Sequence, residues 1–329
     1  DSNFNLVGEL DNYTSYEISR KWGLAGSFRL IAPFNDTNKE FLQADNIIFT
    51  ELNKGYIISS VQYVEGANEK LIQCLGKSLD GILDRRITVA DTYAAQPKET
   101  IIKGLIDTNI ISATDTDRNI SILGLGADLA RGTNIDFVTD RKNLLAEIET
   151  ICINKDISLT TEIDLSNKKI LIDVTEGLDR TYGNGVNPQA IFSREFDNLK
   201  SSSYTRSNIN KVNVAYVGST EVGTATGIDR FEGVTAAGEL SEQQTGEIYI
   251  AERKGETSIE CEVVTTSNLV YGVDYDLGDI VTIKNTDWGV SVDTRIIEVS
   301  EIYEAGNIRI DIIFGEKGLS LTDIIKKNN

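Results

Sequence analysis

The chain has 329 residues, 40% hydrophobic and 25% charged, a mix that suits a soluble globular protein of about two domains. Its 32 Lys and Arg against 51 Asp and Glu leave a formal net charge of −19, which argues against free nucleic acid as a ligand, because phosphate binding rests on basic side chains displacing counterions. It has no His, the commonest general base and zinc ligand, and no apolar run near the roughly 20 residues that span a bilayer.

Residues 1–9 lack the basic start and apolar core of a signal peptide, so the protein is expected to be soluble and intracellular when made. The absence of Met, even at position 1, has two readings: a sequence that begins downstream of its translation start, or a modified methionine missing from it. Cys74, Cys152 and Cys261 lie far apart in apolar surroundings and are odd in number, so they are expected as small buried thiols and not as a disulfide set.

Residues 1–90 read as a strand meander. Ser27-Phe28-Arg29-Leu30-Ile31-Ala32 is half alternating and closed by Pro33, and residues 47–52, 56–63 and 70–75 are three further apolar or alternating runs. Asn53-Lys54-Gly55 and Glu65-Gly66-Ala67-Asn68 supply the turns. Residues 78–83 then place Leu79, Ile82 and Leu83 at helical spacing, ahead of the basic pair Arg85-Arg86.

From about Gln96 the period changes. Pro97 opens a segment with Ile101, Ile102, Leu105 and Ile106 on one helical face. Thr139 or Asp140 is placed to cap a second helix with the stripe Leu144, Leu145, Ile148 and Ile151. Strands over 158–163 and 169–174 flank Ser166-Asn167 as a hairpin turn, which completes a small α/β module over residues 91–180.

Gly183-Asn184-Gly185 and Pro188 mark a boundary. Ala190-Ile191-Phe192 follows, then a polar stretch through Ser201-Ser202-Ser203 and a strand over 211–217. Residues 218–256, rich in Gly, Thr and Glu, read as a long exposed excursion. Strands resume over 258–265, 279–283, 291–300 and 307–314, the last two joined by Glu304-Ala305-Gly306, and a short helix is expected over 319–327.

The candidate chemistry is thin. Gly76-Lys77-Ser78 ends like a phosphate-binding loop, but Leu71 stands where that motif needs its first Gly. Gly124-Leu125-Gly126 lacks the third small residue of a dinucleotide fingerprint, Leu129 taking its place, and no parallel βαβ pattern frames it. Asp115-Thr116-Asp117, and Asp274-Tyr275-Asp276 with Asp279, lack the spaced acidic ladder of a calcium loop, so each reads as turn-forming Asp leading into a strand. Gly278 and Asp279 are expected to shape such a turn and not a binding site. Arg85-Arg86 reads as a solvated pair closing a helix C-terminus, or as an ion-pair donor to a neighbouring subunit. With His absent, an enzyme reading is reduced to an unlocated acidic pair. No catalytic, cofactor-binding or metal-ligating residue is assigned, and no cofactor is expected.

Three stretches resemble the hub proteins of siphophage and prophage tails, the family related to the trimeric baseplate hub of contractile phages. The first runs from Gly55-Tyr56-Ile57-Ile58-Ser59-Ser60-Val61 through Leu75-Gly76-Lys77-Ser78-Leu79-Asp80-Gly81-Ile82-Leu83-Asp84-Arg85-Arg86-Ile87. The second joins Ile191-Phe192-Ser193-Arg194-Glu195-Phe196-Asp197-Asn198-Leu199 to Asn213-Val214-Ala215-Tyr216-Val217-Gly218 and Gly227-Ile228-Asp229-Arg230-Phe231-Glu232. The third is Tyr275-Asp276-Leu277-Gly278-Asp279-Ile280-Val281 with Arg295-Ile296 and Phe314-Gly315. They fall in the family's order across residues 55–315, although many relatives carry more Trp near the N-terminus, where this chain offers only Trp22.

The resemblance implies a β-rich, multidomain α+β fold: a tube-like β-barrel domain over 1–90, an α/β insert over 91–180, and a second tube-like barrel over 181–329 with an exposed insertion near 218–256. It implies a non-enzymatic hub that joins the tail tube or distal tail ring to the tip. The expected partners are two further copies in a homotrimer, tube or ring proteins, and tail-tip or fibre proteins. DNA is expected only as cargo that an acidic channel does not bind. No membrane anchor is expected, and the location is the virion, after synthesis in the bacterial cytoplasm. The other classes weighed are a tail-associated cell-wall hydrolase and a host-surface carbohydrate-binding module, the latter weakened by a content of two Trp.

Overall fold

The computed structural model describes the chain except residues 2–3, 50–53, 67–68, 239, 305 and 316–329. The end of the 47–52 run, the turn residues Asn53, Ala67 and Asn68, the hairpin residue Ala305 and the helix expected over 319–327 lie outside the described residues. The fold is β-rich with few helices and divides into two compact units. One comprises Asp1–Leu178 and Glu298–Asp311; the other comprises Asp179–Ile297 and the chain from Ile312 on.

In the first unit, β1 (Ser15–Lys21) and β2 (Leu24–Pro33) form a hairpin, followed by α1 (Asp36–Phe41), β3 (Ile47–Phe49), β4 (Gly55–Glu65) and β5 (Lys70–Ser78). β5 pairs antiparallel with β2 and β4, and β4 with β3. Period-two alternation sends Phe28, Leu30 and Ala32 into one core with Ile58, Ile72 and Cys74. Gly76 is required in this sheet, since a Cβ there would lie 1.9 Å from the Ile57 carbonyl oxygen. The helix α1 has no apolar stripe, and its buried residue is Asn38; Asn35 caps it by accepting from the Asn38 amide at 2.8 Å.

Leu79–Arg85 is a 3-10 helix, whose three-residue turn puts Leu79, Ile82 and Leu83 on the buried side. Beyond it come β6 (Asp91–Pro97), α2 (Lys98–Ile106), β7 (Leu123–Leu125), β8 (Asn134–Thr139), α3 (Leu144–Ile151), β9 (Ser158–Asp164) and β10 (Lys169–Thr175). The expected stripes of α2 and α3 are buried, in one core with Ile57, Leu79, Ile82 and Leu83. The cap of α3 is neither Thr139 nor Asp140. Asn143 accepts from the Ala146 amide at 3.0 Å, because it stands immediately before the stripe, whereas the Thr139 hydroxyl is held 2.8 Å from that of Thr88 in the interior. β9 and β10 form the expected hairpin, its turn tied by the Asn167 amide donating to Asp164 at 3.0 Å.

The second unit opens with β11 (Asp179–Arg180), β12 (Ile191–Ser193) and β13 (Leu199–Ser207), which absorbs the polar serine stretch. Then come β14 (Val214–Val217), β15 (Thr220–Val222), β16 (Glu232–Thr235), α4 (Glu242–Ala251), β17 (Glu256–Val263), β18 (Ile280–Asn285), β19 (Val290–Glu304) and β20 (Asn307–Gly315). β13 pairs antiparallel with β17, and β18 pairs parallel with β11 and β12 and antiparallel with the start of β19. Phe192 anchors this core between Tyr275 and Phe314, with ring centroids 5.0 and 5.2 Å away.

Residues 218–256 are not a bare excursion. β15 and β16 flank β14, and α4 is closed by a Ser241–Gln244 capping box, although Val222 and Gly246 alone are buried among the described residues of this stretch. From Glu298 onward β19, and β20 as far as Asp311, belong to the first unit, where β19 pairs antiparallel with β1. Among the described residues the strand pairing stays open and closes no barrel, and no helix is long and apolar enough to cross a membrane.

Candidate functional site

The structure disperses the motif fragments and gives each a local job. Gly76-Lys77-Ser78 lies within extended β5: Lys77 pairs with Asp84 at 2.7 Å, and the Ser78 hydroxyl accepts from the Gly26 amide at 2.7 Å. Gly124-Leu125-Gly126 is framed by a parallel pair after all, since β7 runs parallel to β10, but the connection passes through β8, α3 and β9. A Cβ on Gly126 would lie 2.5 Å from the Asp173 carboxyl carbon, so an acid occupies the ground a pyrophosphate would need.

Asp115 does not lead into a strand; it caps the 3-10 turn Thr116–Arg118 by accepting from the Asp117 amide at 3.2 Å. Asp274 accepts from the Val270 amide at 2.7 Å. Asp279 does precede β18, and it is buried against Arg180, whose Nε donates to it at 2.8 Å. Among the described residues no three His, Cys, Asp or Glu side chains are grouped to hold a metal. Arg85 and Arg86 are used within the chain and are not merely solvated: Arg85 pairs with Asp45, and Arg86 Nε donates to the Arg118 carbonyl at 2.9 Å. The three cysteines are free and buried, and burial pushes their thiols up, Cys74 to about 11 and Cys152 and Cys261 to about 12, which leaves them unreactive.

The structure also assembles two charge clusters that spacing alone did not single out. On α2, Glu99 and Lys103 stand one turn apart, and Lys103 Nζ lies 2.7 Å from Glu99 Oε1, 2.6 Å from Asp173 Oδ1 and 2.6 Å from the Ala127 carbonyl oxygen. The Arg131 amide donates to Glu99 Oε2 at 2.8 Å, and its guanidinium lies 3.4 Å from Glu99. Burial pulls the Lys103 pKa down, but the hydrogen bonds to Asp173 and Glu99 outweigh it and leave the ammonium above its ordinary value. For Asp173, burial pushes up, and the bonds from Lys103 and the Val174 amide more than reverse it, leaving the carboxyl below its ordinary value. This is an acidic pair in space, yet Glu99 is fully buried and both carboxylates are matched by cations, so neither is offered to a substrate. The cluster fastens the segment around Ala127 and Arg131 to α2 and β10.

The second cluster lies beside a pocket of ≈ 10 Å³ lined by Gly23, Ala25, Asp80, Ile148 and Glu149 among others, about the room of one water and far short of a small-molecule site. Glu149 Oε1 accepts from the Ala25 amide at 3.0 Å, and Asp80 accepts from the Ser78 hydroxyl. Burial pushes the Asp80 carboxyl up to about 6, with the nearby Glu149 charge adding and the hydrogen bond from Ser78 opposing.

Compared with known proteins, the sequence matches the model of the siphovirus ReqiPepy6 Gp37-like proteins over residues 1–250 and 232–316. No curated protein sequence matches it. Among solved structures, a tail protein from Neisseria meningitidis is similar at 14% identity, with 96% of each chain covered and a TM-score of 0.57. The prophage tail protein gp18 from Listeria monocytogenes is similar at 10% identity, covering 97% of this chain and 94% of its own, with a TM-score of 0.53. The 43 kDa tail protein of prophage MuSo2 from Shewanella oneidensis is similar at 12% identity over 92% and 93%, with a TM-score of 0.51. At such identities the likeness is one of fold.

Proposed function

The chain belongs to the siphovirus ReqiPepy6 Gp37-like protein family, and from that membership we propose that it is a structural hub of a phage-type tail or baseplate, in a phage, a prophage or a tail-derived bacteriocin. One observation carries the reading: the fold is shared with a Neisseria tail protein along 96% of both chains, so the whole polypeptide and not a single module is tail-like. The buried carboxylates Glu99 and Asp279 are matched by cations within the fold, whereas buried Asp80 is held by the Ser78 hydroxyl beside Glu149. We assign no catalytic, cofactor-binding or metal-ligating residue.

In this reading residues 1–90 and 181–329 supply two tube-like domains, with residues 91–180 as the α/β insert. Three copies present six similar domains to the tail tube or distal ring above, and the tip or fibre proteins dock below. The net charge of −19 suits a channel through which DNA slides without sticking, since like charge repels phosphate. The protein is then a virion component made in the bacterial cytoplasm.

The test is to disrupt the gene in the phage or prophage that carries it and to image the particles by electron microscopy. Tails lacking their tip, restored by the wild-type gene, are expected. Complete, infective tails without the protein would overturn the reading. A reconstructed ring with a basic lumen would remove the channel part alone.

A further inference from the structure

Two strand edges stand open in this chain. β13 pairs with β17 on one side, and among the described residues no strand flanks the other. β3 covers β4 only from Gly55 to Ile57, and Asp45 and Asn46 continue the bonding to Ile58; from Ser59 to Val64 the outer edge of β4 has no flanking strand among the described residues. Both segments are largely exposed. An open edge presents unpaired amide and carbonyl groups, a template for a further strand, and proteins usually blunt it with charge, Pro or brevity.

Neither edge carries Pro, and neither carries an acid. A copy with a net charge of −19 repels another copy, so contact is least costly where no carboxylate stands. The nine residues of β13 hold no Asp or Glu, and neither do residues 59–64 of β4. The other open edges differ. β9 carries Glu162 and Asp164, β6 carries Asp91 and Pro97, β8 carries Asp136, β15 carries Glu221, β16 carries Glu232, and β3 and β7 have three residues each. Charge is complementary at the two edges: β13 carries Arg206 and Lys200, the latter paired in-chain with Glu262 at 2.6 Å, while β4 ends on Glu65, whose in-chain partner Lys70 is itself exposed and easily exchanged.

We propose that β13 of one copy pairs with the 59–64 edge of β4 of the next, so that copies join head to tail through strand addition. Two different edges meeting in this way make a heterologous contact, the kind that closes a ring when the rotation allows it. The proposal deepens the ring reading above and rests on it.

Single-cysteine variants Ser203→Cys and Gln62→Cys test it, treated with a short bismaleimide; the native thiols are buried and give little background. A covalent dimer is expected when the two variants are mixed and from neither alone, and the double variant is expected to give a ladder that stops at the ring size. Thr205→Glu and Ser60→Glu, with circular dichroism unchanged, are each expected to weaken association at least tenfold in light scattering. An oligomer that gives no mixed cross-link, a cross-link of Ser203→Cys with itself, or charged variants that associate as the wild type does would overturn the edge pairing and leave the ring standing. A chain that stays monomeric and never cross-links would overturn both.

Discussion

Replacing Asp80 with Asn is expected to make the first unit more stable at neutral pH, by an amount its burial sets. The carboxyl has an ordinary value of 3.8 and is pushed up to about 6 in the fold, first by burial and then by the neighbouring Glu149 charge. The folded state therefore holds the proton more tightly than the unfolded chain does. The stability linked to this group is fully present below about pH 4 and is lost as the pH rises through about 6. A shift of roughly two units corresponds to about 3 kcal/mol at 1.36 kcal/mol per unit. Asn is neutral at every pH and its carbonyl oxygen can still accept from Ser78.

The variant is thus expected to match the wild type near pH 4 and to exceed it by up to about 3 kcal/mol near pH 7. Trp22 reports the result, since it is buried beside the β1–β2 turn and its indole N–H donates to the Lys155 carbonyl at 2.8 Å. Denaturation followed by its fluorescence, in a Trp288→Phe background, gives the difference at each pH, and the other carboxylates cancel between the two proteins. A difference that stays constant from pH 4 to 8, or a variant less stable at pH 7, would refute the reasoning.

Lys103→Met leaves Glu99 buried with only Arg131 nearby and is expected to cost about 3 kcal/mol, whereas Glu99→Leu together with Lys103→Met is expected to recover most of it, both read from the same Trp22 transition. Gly76→Ala sets a methyl against the Ile57 carbonyl oxygen and is expected to cost at least about 2 kcal/mol in that transition, or to prevent soluble expression. Asn143→Ala is expected to cost about 1 kcal/mol through loss of the α3 cap. Asp140→Ala is expected to stay within about 0.5 kcal/mol in the same denaturation series. The reverse order would return the cap to Asp140.

Elements that bury a periodic face were legible before any coordinates. The stripes of α2 and α3, the β9–β10 hairpin and the alternation of β5 repeat every 3.6 or two residues, because a helix or strand half in water must sort its side chains that way. Where that sorting is absent, spacing carries no such signal. α1 turns an asparagine inward, and β13 exposes both faces and reads as a polar linker until β17 is beside it. The α3 cap was misplaced by a few residues because Thr139, Asp140 and Asn143 all have capping chemistry, and only the end of β8 decides which is free to use it.

The candidate sites divide in the same way. Glu99 and Lys103 stand four residues apart on a helix, a spacing shared by many surface pairs, and only the arrival of Arg131 and Asp173 from distant positions, through the pairing of β7 with β10 and the segment that follows β7, makes them a cluster. Asp80 looks like any acid near a basic pair until the 3-10 helix turns it inward. Net charge, the absence of histidine, β-rich character and the periodic helices follow from residue type and near-neighbour spacing. Which acids meet cations and which strand edges stay open emerges with the folded chain, because both depend on contacts between residues far apart along it.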